Sequence, residues 1–294
     1  MVDKPAGWTS HDVVARCRRI YGQRRVGHSG TLDPGATGIL LVGLGRATRL
    51  LRFLTDLPKT YTADLVLGVA TSTLDNEGEE TGRWDMSGVT PDAIVAAAAA
   101  LTGPIMQVPP MVSAVRVGGR RLHELAREGI EVERAPRPVT VWRFDVEATT
   151  DPLVWRMAVT CSSGTFVRVL AADVGAALGG GAHLRGLRRT AIGSFAVERA
   201  LPLDAIEADP AAAVLTSADA LGDYRSVAVD AETAALVAHG RPLAADVLGT
   251  EGPGPWPVQG PDGALLAVYE RRDHGSQLYP AVVMAGPDPQ SERQ

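Results

Sequence analysis

The chain has 294 residues, 29 basic and 34 acidic side chains for a formal net charge of −5, and 45% hydrophobic against 21% charged residues. That balance suits a globular protein of one large domain or two unequal ones and excludes a disordered or low-complexity chain. The longest apolar runs fall short of a bilayer span, and "MVDKPAGWTSHD" lacks the basic-then-apolar pattern of a secretion signal. Cys17 and Cys161 are too few for a disulfide framework or a zinc site, so a reducing cytoplasm is expected.

In chain order, Ser10 reads as the N-cap of a first helix in which Val13, Val14, Cys17, Ile20 and Tyr21 recur at helical spacing until Gly22. The glycine-rich "GHSGTLDPGATG" (27–38) follows, and then "GILLVGLG" (38–45), a short apolar run that reads as one buried strand. "RATRLLRFLTDL" (46–57) reads as an amphipathic helix and "KTYTADLVLGV" (59–69) alternates as a strand. Residues 71–89 are polar and turn-rich. Thr90 and Pro91 open a helix that Gly103 closes. Residues 107–129 begin extended around two prolines and end in a short helix, an excursion from the sheet. "PLVWRMAVTC" (152–161) alternates again, and "SSGT" turns the chain into the helix "FVRVLAADVGAAL" (166–178).

Composition shifts at "EADPAAAVLTSADALGDY" (207–224), which reads as an alanine-rich helix and a boundary. Beyond it, closely spaced turn signals and strands such as "ALLAVYE" (264–270) predict a small β-rich appendage of roughly 70 residues, near the size floor for independent stability. The tail "GPDPQSERQ" reads as disordered.

A negative net charge argues against a nucleic-acid partner, but the average hides basic clusters. "RCRRIYGQRR" (16–25) holds five arginines and no acid, "RVGGRRLHELAR" (116–127) four arginines and one acid, and "LRGLRR" (184–189) three arginines. Local fields of this kind can track phosphates, whereas ordinary solvated helix faces account equally well for any single cluster.

On physics alone Asp33 reads first as a turn residue, because Asp-Pro-Gly is a turn signature. Against that stand His28, Ser29, Thr31 and Thr37 among glycines, in a loop able to approach a ligand closely. No P-loop lysine and no GxGxxG occurs, so nucleotide cradles are excluded. Arg168, near the start of its helix, would face a carboxylate in bidentate geometry and fix its orientation, or else simply cover a helix face. Tyr61 in a half-buried strand is equally compatible with a core aromatic. The six histidines, at 11, 28, 123, 183, 239 and 274, show no paired metal-ligand spacing, so no metal is expected.

The order of these segments is more specific than any one of them. "VDKPAGWTSHDVV", "GHSGTLDPGATGILLVGLGRATRL", "KTYTADLVLG", "VPPMVSAVRVGGRRLHELAREG" and "CSSGTFVRVLAADVG", followed by "GGGAHLRGLRRTAIGSF", together closely resemble the bacterial tRNA pseudouridine synthase B family over roughly residues 2–200. The resemblance implies an α+β pseudouridine synthase fold, a mixed, mainly antiparallel sheet flanked by helices, as a catalytic domain over 1–222. It also implies a thumb-like RNA-binding insertion near 104–134 and a PUA-like C-terminal domain over 223–290.

It further implies isomerisation of the T-loop uridine (position 55) of tRNA, with no cofactor, no membrane, no obligate protein partner and a monomeric state. Carried over by position, Asp33 is the nucleophile, Tyr61 stacks on the base and serves its later deprotonation, and Arg168 pairs with the aspartate. His28 is associated with flipping the nucleotide, Phe166 and Leu187 line the uracil pocket, and Lys4 with Pro5 buttresses the site. Phe166 and Val112 depart from the tyrosines that many members carry at those places. An RNA-folding chaperone, a guide-RNA-dependent relative and a glycoside hydrolase are the competing classes, the last requiring a second carboxylate near Asp33.

Overall fold

Alternation in Lys59–Leu67 puts Ala63, Leu65 and Leu67 on one buried face, with Lys59 and Tyr61 on that same face at the start of the strand. A computed structural model describes residues 1–272 and 275–284 and places this strand inside an eight-stranded sheet. The order across the sheet is Val2–Lys4, Thr37–Leu40, Ala182–Ile192, Lys59–Leu67, Val154–Cys161, Arg137–Ala148 and Gly103–Gln107, with Phe195–Ala196 pairing Ala182–Ile192 off this path. Only Thr37–Leu40 against Ala182–Ile192 is parallel, so the sheet is mixed and mainly antiparallel, as expected.

Helices Pro91–Ala100 and Val167–Ala177 cover one face of the sheet through Ile94, Ala97, Leu170, Ala171 and Val174. Thr90 caps the first of these and Pro91 occupies its opening turn, which agrees with the sequence reading. The 107–129 excursion is a small hairpin, Arg116–Val117 with Arg120–Arg121, followed by the helix Leu122–Arg127.

Several local expectations change. Thr9, not Ser10, caps the first helix: its hydroxyl accepts from the Asp12 amide and the Asp12 carboxylate accepts from the Thr9 amide. The run 38–45 is two strands, because Thr37–Leu40 joins the large sheet while Val42–Leu44 pairs with Val26–His28. Residues 46–57 begin as a 3₁₀ turn, Gly45–Leu50, before the helix Leu51–Asp56. The stretch 207–224 is not one helix, since Leu203–Ala208 ends before Pro210 and only the turn Asp219–Leu221 follows. Two long strands, Arg137–Ala148 and Ala182–Ile192, had no clean alternation to announce them, and bulges interrupt both.

The C-terminal β-rich part is a five-stranded sheet ordered Val227–Ala228, Trp256–Gln259, Leu265–Arg271, Gln277–Val283 and Leu243–Ala244, with helix Ala231–Ala238 against it. It does not rest on its own core alone. Leu265, Val268 and Val282 share one buried cluster with Phe53, Leu54, Ile192 and Phe195, and Tyr224 donates to the Phe53 carbonyl at 2.7 Å. The expected disordered tail lies outside the described residues. No helix among the described residues is long and apolar enough to cross a membrane.

Phe53→Ala is therefore expected to destabilise the protein by about 3–5 kcal/mol, read from denaturant melts. Amide-exchange protection in the strands Leu265–Arg271 and Gln277–Val283 should fall with it. Unchanged protection there would mean that the C-terminal sheet does not depend on the shared cluster.

Candidate active site

The loop between Val26–His28 and Thr37–Leu40 is held from below by the N-terminal segment. Ser10 Oγ accepts from the Leu32 amide at 2.9 Å and donates to the Leu32 carbonyl at 3.2 Å. One residue past Asp33, the Pro34 carbonyl accepts from the Gly7 amide at 2.9 Å and from Lys4 Nζ at 3.1 Å. Lys4 also donates to the Pro5 and Trp8 carbonyls, at 3.0 and 2.6 Å. Asp33 thus sits between two pinned neighbours while its own side chain remains 43% exposed. Where the loop rejoins the sheet, Gly38 has φ +104° and lies so close to the Arg189 backbone that a Cβ would overlap its carbonyl.

Arg168, its side chain 5% exposed, reaches Asp33 from the first turn of Val167–Ala177. The pair is not the expected two-pronged fork. Nε meets Asp33 Oδ2 at 3.0 Å, while Nη1 donates to the Thr73 carbonyl at 2.6 Å and Nη2 to the Val112 carbonyl at 2.9 Å. The terminal nitrogens are taken by carbonyls of two other segments, which leaves Nε for the carboxylate.

Sequence reasoning missed Asp75, whose Oδ2 lies 3.6 Å from Arg168 Nη1. Its loop is docked by the Asn76 amide on the Leu184 carbonyl, and Leu74 there takes φ +64°. Asp75 Oδ1 accepts from Thr73 Oγ1 at 2.5 Å and from the Glu77 amide at 3.1 Å. A threonine two residues before an aspartate in a turn-rich stretch was the only sequence sign of this arrangement.

A cavity of about 330 Å³ opens beside Asp33. Asp33, Tyr61, Phe166, Arg168 and Leu187 all line it, so five of the eight expected site residues converge, with Arg189 and Lys59 beside them. Lys4 is absent from the walls: it is fully buried, and it acts on the loop through carbonyls. His28 is also off the wall. Its ring stands edge-on to His11 with centroids 5.8 Å apart, and Nδ1 is buried without a partner. Burial, then the charges of His11 and Arg189, hold its imidazole below the usual value.

Burial pushes the Tyr61 hydroxyl up, with Arg189 pulling the other way, so Tyr61 carries its proton at neutral pH. Gln107, another residue the sequence did not flag, is 3% exposed at the root of the 107–129 excursion. Its amide accepts from the Phe166 amide at 2.8 Å and donates to the Phe166 carbonyl at 3.1 Å, fixing the helix start that presents Arg168.

The basic clusters divide. Arg18, Arg19, Arg24 and Arg25 are exposed, as are Arg116, Arg120 and Arg127. The third cluster is neutralised or hidden instead: the exposed Arg185 pairs with Asp64, the half-buried Arg188 with Asp3, and Arg189 is buried. Among the described residues, no group of three or more His, Cys, Asp or Glu side chains is placed to hold a metal.

Lys59 is 4% exposed and donates to the Leu57 carbonyl at 2.7 Å and to the Thr55 carbonyl. Burial lowers its ammonium from 10.5 to about 8. Between those values the unfolded chain binds the proton that the folded chain has lost, so this lysine makes stability rise with pH. In Lys59→Met, the slope of unfolding free energy between pH 8 and 10.5 should fall by up to about 1.4 kcal/mol per pH unit relative to wild type. Equal slopes in denaturant titrations would show that burial does not lower the Lys59 ammonium in the folded state.

Two family models match the chain: TruB family pseudouridylate synthase (N terminal domain) over residues 18–167, and the tRNA pseudouridylate synthase B C-terminal domain over 168–224. Among curated proteins, "tRNA pseudouridine synthase B" of Mycobacterium sp. (strain KMS) is 48% identical, covering 98% of this chain and 95% of its own length. The proteins of the same name from Rhodococcus jostii (strain RHA1) and Thermobifida fusca (strain YX) are each 47% identical. They cover 92% and 97% of this chain, and 89% and 98% of their own lengths.

Solved structures share the fold. An H/ACA ribonucleoprotein bound to a substrate RNA containing 2'-deoxyuridine aligns with a TM-score of 0.73 at 24% identity, over 98% of this chain and 84% of that one. A Cbf5-Nop10-Gar1 complex aligns at 0.72 and 25%, over 97% and 83%. With relatives near half identity along almost its whole length, the chain belongs to the TruB family of pseudouridylate synthases.

Proposed function

We propose that this chain isomerises the T-loop uridine (position 55) of tRNA to pseudouridine, with Asp33 as the nucleophile. The observation that carries this reading is the Asp33–Arg168 pair, 3.0 Å apart, at a cavity walled by Tyr61, Phe166 and Leu187. The curated relatives are tRNA pseudouridine synthases by name, and the reaction moves a glycosidic bond from nitrogen to carbon without redox change or added group.

Each residue then has a role. Asp33 attacks the nucleoside and splits one hard step into two. Arg168 holds the carboxylate in place and stays hydrogen-bonded throughout. Tyr61 stacks on the base, and Phe166 and Leu187 keep water from hydrolysing the opened bond. The target base must leave its stack to enter, at a cost of a few kcal/mol, and His28, beside His11 and off the cavity wall, is the residue that assists flipping. Lys4 and Pro5 buttress the loop.

The exposed arginines of 16–25 and 116–127 supply a phosphate-facing surface, with 104–134 as the RNA-binding insertion. Residues 1–222 form the catalytic unit and 223–290 a PUA-like one, of which 273–274 and 285–290 lie outside the described residues. The protein works as a monomer in the cytoplasm, where its substrate is, without an obligate protein partner. A hydrolytic role for Asp75 fits less well, because that carboxylate faces Thr73, Glu77 and Arg168 and does not line the cavity.

Asp33→Asn is expected to abolish pseudouridine formation while T-arm stem-loop binding persists, checked by mass mapping of the RNA and by a filter-binding titration. Normal turnover in that variant would sink the mechanism. Arg168→Lys should lower kcat by at least about 100-fold with little change in Kd, since one ammonium cannot span Asp33, Thr73 and Val112 together. A loss confined to affinity would instead assign Arg168 to a phosphate contact.

A further inference from the structure

One cation on the cavity wall has no part in the roles given above. Arg189 is 1% exposed, yet it lines the cavity. Nε donates to the Ile39 carbonyl at 2.8 Å and Nη2 to the Gly30 carbonyl at 3.2 Å. Among the described residues no carboxylate lies within ion-pair distance of it, in contrast to Arg185 and Arg188 beside it in sequence. A buried guanidinium without a counter-ion is expensive, and two carbonyl bonds offset only part of that cost.

Its neighbour across the sheet is Tyr61. The two residues are directly paired between Lys59–Leu67 and Ala182–Ile192, and both line the cavity. The other charged or titratable groups acting on the Tyr61 hydroxyl are Asp33 and Cys161, while Lys59 lies on the same strand face. Burial pushes the Cys161 thiol up to about 11, which leaves it neutral. Arg189 is therefore the cation that faces Tyr61 most directly.

Uridine isomerisation has a proton balance that such a pair can serve. Once the carbon–carbon bond is made and Asp33 has left, C5 is tetrahedral and still carries its hydrogen, and N1=C6 is an imine. The product needs that proton removed from C5 and a proton placed on N1, two atoms in a 1,3 relation within reach of a single hydroxyl. We propose that Arg189 is the counter-ion of a transient Tyr61 phenolate, which lets one hydroxyl carry out both transfers.

In the first, the Tyr61 O–H bond breaks as N1–H forms. In the second, the phenolate oxygen takes the C5 proton, the C–H electron pair becomes the C5=C6 double bond, and the imine π pair returns to N1. The tyrosine ends as it began, and no proton is gained or lost overall. Arg189 acts through Tyr61 and is thus a positioning residue. The proposal rests on the isomerase reading above.

The test uses the full chain and a T-arm stem-loop whose target uridine carries hydrogen or deuterium at C5, under single-turnover conditions. Arg189→Gln is expected to slow product formation by up to roughly 100-fold and to enlarge the C5 isotope effect over that of wild type, because the step it slows is C5–H cleavage. The isotope effect is a ratio within one preparation, so partial misfolding does not move it. In a Tyr61→Phe background the same substitution should add little further loss. Arg189→Lys keeps a cation at shorter reach, and should show an isotope effect between those of wild type and Arg189→Gln.

An isotope effect in Arg189→Gln equal to that of wild type, or a loss that multiplies with that of Tyr61→Phe, overturns the proposal. If Arg189→Gln does not fold, an unchanged isotope effect in Arg189→Lys overturns it equally. A wild-type chain that forms no pseudouridine would instead remove the isomerase reading itself.

Discussion

The site depends on one guanidinium making more than one contact. Arg168 joins four segments that are far apart in the chain: the loop bearing Asp33, the loop bearing Thr73 and Asp75, the excursion bearing Val112, and its own helix. Arginine can do this because its five N–H donors are fixed in a plane and stay charged at any relevant pH. The price is a demanding surround, since every donor buried with it must find an acceptor. Gln107 and the Leu184 carbonyl meet part of that demand indirectly, the first by fixing the helix start that presents the guanidinium and the second by docking the 71–79 loop that carries the Thr73 acceptor.

A second constraint is charge. Lys4, Lys59 and Arg189 are all buried around the Asp33 loop, and all three are satisfied chiefly by backbone carbonyls. Carbonyls orient a cation without neutralising it, so the surroundings of the cavity stay electropositive. The burial that lowers Lys4 and Lys59 to about 8 measures how much the fold gives up to keep them there. A protein of net charge −5 thereby gathers buried cations around the Asp33 loop.

Much of the framework was legible in the residues. The helices at Pro91–Ala100 and Val167–Ala177 and the strands at Lys59–Leu67 and Val154–Cys161 follow from caps, prolines and alternation, because local rules and tertiary packing agree there. Ala182–Ile192 was not legible, although it is central to the sheet. Its bulges break the alternation, and its arginines mimic a surface cluster while two of them pair with Asp64 and Asp3 and the third is buried. The misplaced cap has the same kind of cause: Ser10 has the right chemistry for a cap, but its hydroxyl is engaged by Leu32, twenty-two residues away.

The sequence by itself determined the ordered series of motifs, hence the family, and with it Asp33, Tyr61 and Arg168 as a set worth bringing together. It could do so because those motifs are short and contiguous, and their glycines and prolines dictate turns locally. Only the tertiary structure decided how the set is held: a single Nε contact in place of a fork, Asp75 on the far side of Arg168, and Arg189 behind Tyr61. Those relations join residues up to about a hundred and thirty positions apart, such as Tyr61 and Arg189, through sheet register and loop docking. Register is a property of paired strands, and no single stretch of sequence carries it.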